Sequence, residues 1–312
     1  MKKYLLVGLL VLVFPASAQA TPKFGLSTEN LGNFRTLQSE MPVSYYAPFV
    51  QFKHNNGLNV FLHQARIMHT TPMISWETWD AVNQRYAANR QPQPLRGLRN
   101  GQIASGSQDA YIKQQARYVK AYKRRVYLRF DHEMNGFWYP WSHGRAKYYV
   151  RMWRHVWRIF HRMHVRNVRW VWSPNPNTYQ GDLAFDRTIR RFWPGKKYVD
   201  VVGTTLTRNY SQGVWQPPAQ YFARFDRLLK YHKPMWITES LVDLQEMQHW
   251  MPLFRQEIDA RPYIKTVIWL STNGAQNPKF GNLNWRLTDQ PFARIYLTFK
   301  PGYTAPFPPP GS

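Results

Sequence analysis

Apolar residues gather in short runs that alternate with longer amphipathic stretches. Lys23–Ser27, Ser44–Phe52, Thr71–Trp76, Val126–His132, Val168–Ser173, Val199–Thr205, Pro234–Thr238 and Lys265–Ser271 read as strands. Several are rich in Val and Ile, as expected of parallel strands covered on both faces. Between them, Asp109–Arg125 (with Ser107 as its candidate cap), Lys147–His164 and Gln220–His232 carry helical periodicity. Eight strands interleaved with helices predict a single (β/α)8 TIM barrel of the α/β class over residues 21–300. On the second of these helices Arg151, Arg154, Arg158 and Arg162 share one face, predicted to be solvated, while Trp153, Val156, Trp157, Phe160 and Met163 supply the buried side. His161 and His164 lie there without a carboxylate or Cys beside them, so no metal site is expected.

The two ends read differently. Lys2 and Lys3, the apolar run Tyr4–Phe14 and Ala18-Gln19-Ala20 make residues 1–20 a secretory signal peptide, too short in its apolar run to serve as a membrane span. The mature chain is expected to start at Thr21, in the periplasm or outside the cell, with no stable membrane insertion. The absence of Cys suits an oxidising compartment. Residues 301–312, PGYTAPFPPPGS, predict an extended Pro-rich tail.

Charge and aromatic content narrow the partners. The formal net charge of +25 falls to +23 once Lys2 and Lys3 leave. That field favours anionic partners. No nucleic-acid motif accompanies it, so an acidic polysaccharide or an anionic envelope surface fits better than nucleic acid, with Arg145 and Arg208 near the predicted active-site loops as direct contacts. The 14 Trp suggest sugar-stacking surfaces.

Acids are scarce: the seven Glu are Glu29, Glu40, Glu77, Glu133, Glu239, Glu246 and Glu257. Barrel enzymes carry their chemistry at the C-terminal ends of the strands. Glu77 after the third strand, Glu133 after the fourth and Glu239 after the seventh fall there. Hydrolysis of a glycosidic bond uses two carboxyls in one cleft, about 5–5.5 Å apart in retaining enzymes. The fourth and seventh strands face each other across an eight-stranded barrel, which suits Glu133 and Glu239. Strand alternation places Arg129, Asp131 and Glu133 on one face, and a buried Arg129 can hold a carboxylate ionised. His132 is a candidate hydrogen-bonding partner for a sugar hydroxyl. Trp76, Trp138, Trp141 and Trp269, at or just past strand ends, are candidate stacking surfaces; Trp153 and Trp157, in mid-helix, are not.

The run Arg129-Phe-Asp-His-Glu-Met-Asn-Gly-Phe-Trp-Tyr-Pro-Trp141 resembles the signature of glycoside hydrolase family 26, the β-mannanase family of (β/α)8 barrels. The resemblance implies that Glu133 is the acid/base, and that Glu239, in Pro-Met-Trp-Ile-Thr-Glu, is the nucleophile of a double displacement without a cofactor. Trp170-Val-Trp-Ser-Pro-Asn175, Asp200-Val-Val-Gly203 and Asn284-Trp-Arg-Leu287 are similar to the family's later segments in order, which makes Asn175 a candidate contact. Two positions depart. Thr207 stands where the family usually has an aromatic, with Tyr210 three residues on as its candidate replacement. Ser75-Trp76-Glu77 stands where mannanases often show Trp-His. Three readings follow: an endo-β-mannanase; an endoglycosidase for an acidic exopolysaccharide or a β-glucan; or, from another class, a catalytically silent carbohydrate-binding or assembly protein.

Overall fold

The computed structural model describes residues 21–28, 30–52, 57–78, 100–136, 139–142, 145–176, 182–208, 217–243, 246–277, 281–300, 303 and 305. Residues 1–20, Trp138 and Tyr210 lie outside them, so three sequence expectations fall on positions that are not described.

The sheet runs β1 (Lys23–Thr28), β2 (Val43–Tyr46), β3 (Phe49–Gln51), β4 (Thr71–Glu77), β5 (Val126–Phe130), β6 (Val168–Trp172), β7 (Val201–Arg208), β8 (Met235–Val242) and β9 (Ile264–Ser271). All their pairings are parallel. β1 pairs with β9, and β2 bridges β1 to β4, so the sheet closes on itself. β2 and β3 are two halves of one stave, interrupted at Ala47-Pro48, where proline removes a ladder donor. The eight staves form a TIM barrel. A small antiparallel hairpin, β10 (Asn273–Asn277) and β11 (Gly281–Asn284), follows the last of them.

Two apolar layers hold the barrel. Inside it, Tyr45, Ala47, Met73, Val171, Val201, Trp236 and Ile268 pack together. Gly25 is required beside them: a Cβ there would meet Ile268 Cδ1 at 2.4 Å and Tyr45 Cβ at 2.6 Å. The larger layer lies between the staves and the helices. Helices α1 (Leu31–Glu40), α2 (Leu58–Ile67), α3 (Asn100–Ala104), α4 (Asp109–Tyr122) and α5 (Ala146–Arg162) follow in chain order, and the last two show its construction. α5 buries Tyr149, Met152, Trp153, Val156, Ile159 and Phe160, and leaves Arg151, Arg158 and Arg162 in solvent. Ser107 does not cap α4; Gln108 takes that place without a side-chain bond, and Asp109 lies 2.6 Å from His155 Nε2 instead. Gln220–His232 divides into an α-helix (Pro218–Asp226) and a 3-10 segment (Arg227–Tyr231). Of the tail, Ala305 is buried in the outer layer and Tyr303 lies 6.0 Å from the Arg255 guanidinium.

The tryptophans serve this outer layer more than any sugar surface. Trp76, Trp141, Trp153, Trp172, Trp250 and Trp269 are among the largest fully buried side chains. Trp76 packs on Phe52, Phe130 and Phe160, the last on α5. Trp269 packs on Phe254 of the helix Met247–Asp259. Both point toward helices, so neither lines the cleft. Alternation explains the correction: Ser75 on β4 faces the barrel interior, so its neighbour Trp76 faces out. Emptying such a site costs about 3–5 kcal/mol of stability.

Candidate active site

Arg129 organises the barrel mouth. It extends from β5 into the interior with no exposed surface. Its Nη1 donates to Glu239 Oε2 at 2.8 Å and to Ser75 Oγ at 3.1 Å. Nη2 donates to Thr205 Oγ1 at 2.9 Å and Nε to Ser173 Oγ at 3.3 Å. One guanidinium therefore ties β5 to β4, to the end of β6, to β7 and to β8. A buried charge is costly unless it is paired and hydrogen-bonded, and Arg129 meets both conditions through Glu239. It is a positioning group, since full burial keeps it from a sugar.

Glu239 reaches Arg129 because β8 breaks its own alternation. Trp236 lies in the interior layer, Ile237 in the outer one. Thr238 turns inward again: its Oγ1 donates to Thr204 O at 3.0 Å and lies 2.7 Å from Ser173 Oγ. Strict alternation would then send Glu239 out to the helices. The β7–β8 register instead steps from Thr204↔Ile237 to Thr205↔Glu239, a bulge that brings Glu239 in as well. Gly203 makes the room, for a Cβ there would stand 2.3 Å from Thr238 Cγ2.

Glu133 arrives by a different device. β5 ends at Phe130, and the residues beyond do not alternate. Asp131 (φ 40°) and Glu133 (φ 52°) adopt left-handed backbone, rare and costly for side-chain-bearing residues. Asp131 turns aside: its carboxylate accepts from Thr78 N and Thr78 Oγ1, both at 2.8 Å. It is fully buried, and burial pushes its pKa well above the ordinary value against those two bonds. Glu133 is held by its backbone N–H, which donates to Ser173 O at 2.7 Å.

Burial also raises the pKa of Glu239. The Arg129 charge pulls it back, and the nearby Glu133 carboxylate pushes it up again. The two glutamates thus stand close enough to feel each other's charge.

Other expected contacts play different parts. His132 is fully buried and does not reach a sugar hydroxyl. Its Nε2 shares a 3.1 Å hydrogen bond with the Tyr139 hydroxyl, and its Nδ1 lies 3.9 Å from Glu77 Oε1. Burial, then the Arg129 charge, holds its pKa well below the usual range, so the ring is neutral. Trp141 is equally covered: its Nε1 donates to His132 O at 2.6 Å and its ring stacks on Tyr139 at 4.4 Å. It backs the loop and offers no open face. Asn175 clasps Asn135 through its main chain: Asn135 Nδ2 donates to Asn175 O, and Asn175 N donates to Asn135 Oδ1, both at 2.8 Å. Glu77 is buried at the mouth and accepts from Gln51 Nε2 at 3.4 Å. Arg145 is exposed at the head of α5.

Two residues escaped sequence reasoning. Burial, then the charges of Glu133, Glu77 and Glu239, raise the pKa of Tyr139 well above 10.0, so this half-buried tyrosine stands within reach of all three glutamates. It sits between Trp138 and Trp141, which drew attention from it. Trp285, past the hairpin, donates Nε1 to the buried Asp243 at the end of β8. Among the described residues no cluster of three or more His, Cys, Asp or Glu could hold a metal ion.

A parallel barrel whose mouth holds two glutamates, one of them clamped by arginine, defines a two-carboxylate class of barrel. The chain belongs to glycosyl hydrolase family 26: the family model matches residues 70–269, well over half of its length. Members of this family are retaining O-glycosidases. Among relatives, Endoglucanase H of Acetivibrio thermocellus is 28% identical over 210 residues, covering 63% of this chain and 19% of that protein. Mannan endo-1,4-beta-mannosidase A and B of Caldalkalibacillus mannanilyticus is 25% identical over 176 residues, 52% of this chain and 30% of that protein. The chain therefore spans less than a third of the length of either. Among solved structures, the catalytic domain of the Bacillus sp. JAMB-750 endo-beta-1,4-mannanase superposes with a TM-score of 0.59 at 15% identity, covering 81% of this chain and 78% of that one. A Bacteroides ovatus β-mannanase gives 0.56 at 16% identity, over 93% and 85%. At these identities the likenesses speak for the fold alone.

Proposed function

We propose that this chain is an exported retaining endo-glycosidase of the mannanase and endoglucanase type, acting on a β-linked polysaccharide. The observation that carries the reading is Glu239 clamped by Arg129 at the barrel mouth, within the field of the Glu133 carboxylate. Glu239, whose ionised form the Arg129 charge favours against burial, attacks the anomeric carbon. The glycosidic C–O bond breaks as Glu133 gives its proton to the departing oxygen. Water then displaces Glu239 from the glycosyl-enzyme, with Glu133 taking the water's proton. Tyr139 and His132 hold the loop on which Glu133 stands, and Trp138 and Tyr210 remain candidates for the sugar subsites.

Similarity to Endoglucanase H favours a β-glucan as the second substrate. An acidic sugar beside the glutamates is disfavoured: among described residues the mouth gathers Glu77, Asp131, Glu133, Glu239 and Asp243 against Arg129. The test is reducing-end release from galactomannan, glucomannan, β-glucan and acidic polysaccharides. Release from a neutral β-linked polymer is expected; hydrolysis confined to acidic ones would overturn the reading, and inactivity on all would favour the silent binding protein. Export is tested by N-terminal sequencing, expected to begin at Thr21; a mature chain retaining Met1 would refute it.

A further inference from the structure

At the end of the barrel opposite the glutamates lies a second concave surface. A cavity of about 480 Å³ opens at the N-terminal ends of the strands, lined in part by Lys23, Arg125, Arg169 and Lys265. A second, of about 340 Å³, shares Arg169 and Asp200 with it and adds Arg166 and Lys197. The two form one trough. Asp200 is the single carboxylate among the residues lining either cavity, and its Oδ2 already accepts from Trp170 N at 2.8 Å. Arg169 donates to the carbonyls of Arg166 and Val168, and Lys265 to that of Pro262. Among the described residues no carboxylate pairs with Lys23, Arg125, Arg169 or Lys265. Lys23, Arg125 and Lys265 are exposed.

Four like charges around a concavity repel one another, and no described carboxylate offsets that repulsion by pairing with them. A concave surface of one sign concentrates counter-ions, because its low-dielectric walls focus the field. The rings that line the trough are engaged with one another, whereas a single-stranded nucleic acid uses open aromatic faces for its bases. Tyr45, Tyr127 and Trp236 at the barrel floor pack on one another at 4.5–5.8 Å, and His161 stacks on Trp157 at 4.6 Å. A lipid surface, being flat, does not enter a recess.

We infer that this trough is a second carbohydrate site, which holds the carboxylates of an acidic polysaccharide and anchors the protein while the mouth works on a neutral chain. The choice of a glycan rests on the glycosidase reading; the anion site rests on the trough itself. Cleavage after Ala20 adds a further cation, since it leaves the α-ammonium on Thr21, which lines the first cavity.

The experiment compares two triple variants of the mature chain. Lys23→Gln/Arg125→Gln/Lys265→Gln removes three trough cations; Arg35→Gln/Lys113→Gln/Arg187→Gln removes three exposed ones that line neither cavity. Binding is measured at low salt to polygalacturonate, galactomannan, poly(dT) and phosphatidylglycerol vesicles, and hydrolysis of neutral polymer separately. The trough variant is expected to bind polygalacturonate at least tenfold more weakly than wild type. The control should stay within twofold, and both should keep wild-type hydrolysis. Equal losses in the two variants, no loss in the trough variant, or tighter binding to poly(dT) or vesicles than to polygalacturonate would overturn the proposal. Should the trough variant fail to fold, Lys23→Gln and Lys265→Gln are read singly, each with an expected loss of about threefold; unchanged binding in both would equally overturn it. Absent hydrolysis with intact trough binding would sink the glycosidase reading alone.

Discussion

At the C-terminal end of the staves, Glu77, Asp131, Glu133 and Asp243 are buried, and the half-buried Glu239 is clamped by the Arg129 guanidinium. At the N-terminal end, Lys23, Arg125 and Lys265 stand in solvent beside the half-buried Arg169, with Asp200 as their acidic neighbour. Three carboxylates at the mouth answer to identifiable partners: Glu239 to Arg129, Asp131 to Thr78 and Asp243 to Trp285. The floor charges answer to solvent and salt. The difference teaches what each end can do. Burial and neighbouring charges set the protonation of Glu239, as acid–base chemistry needs. Solvated cations act at range and are screened, which suits capture.

Removing the charges one end at a time separates these roles. Glu239→Ala should abolish turnover, on the order of 10⁴-fold or more in kcat, since the nucleophile serves both steps. Glu133→Ala should lose about 10²–10⁴-fold on polymer yet retain turnover on substrates with activated leaving groups. Full activity of Glu133→Ala on polymer, assayed by reducing-end release, would undo the assignment.

Arg129→Gln leaves Glu239 buried without its counter-charge, and breaking such a pair costs about 3–5 kcal/mol. Denaturant unfolding should show that loss. The pH profile should show more. Arg129 lowers the pKa of Glu239, so its removal raises that pKa further, and the acid limb of kcat/KM should move to higher pH. A lowered stability with an unmoved limb would make Arg129 structural only.

Salt sharpens the contrast. Between 0.01 M and 0.1 M the screening length falls from about 30 Å to about 10 Å. Polygalacturonate binding should weaken roughly tenfold while turnover of neutral polymer stays constant, because the mouth charges are shielded from solvent ions. Parallel salt dependence of both would erase the distinction between the ends.

The smallest effect belongs to Asp131. Its folded pKa is raised, so its contribution to stability is fully present below about 3.8 and is lost as pH rises through the folded value. Asp131→Asn keeps the shape without that titration. Its stability relative to wild type should therefore grow as pH increases above 4, read as the difference in unfolding midpoints across a pH series. A constant difference would mean that Asp131 is ionised in the folded state without cost.

Much of this was legible in the chain. All eight staves lie where the apolar runs placed them, within a few residues, and α5 shows its arginines to solvent because 3.6-residue periodicity survives folding. That Glu77, Glu133 and Glu239 fall at or just past strand ends was legible from the strand positions, but how Glu133 and Glu239 are turned was not, since neither follows alternation. Trp76, Trp141 and Trp269 were misread from abundance, when alternation alone was enough to turn Trp76 away from the cleft that Ser75 faces. His132 was misread because a polar residue beside a reactive one invites a direct role; Phe49, Tyr139 and Trp141 close over it instead.

The order of apolar and polar residues determined the barrel, its polarity, and hence the end at which strand-terminal carboxylates emerge. Tertiary structure alone decided which of them meet. The bulge at Thr238 that brings Glu239 inward, the left-handed turns that separate Asp131 from Glu133, and the reach of Arg129 across four other staves depend on contacts between residues 33 to 110 positions apart. The same holds for the trough, whose cations come from the beginnings of four separate strands and share a surface because the sheet closes. Periodicity is a property of neighbours along the chain, and it carries no information about which distant side chain will supply a counter-charge.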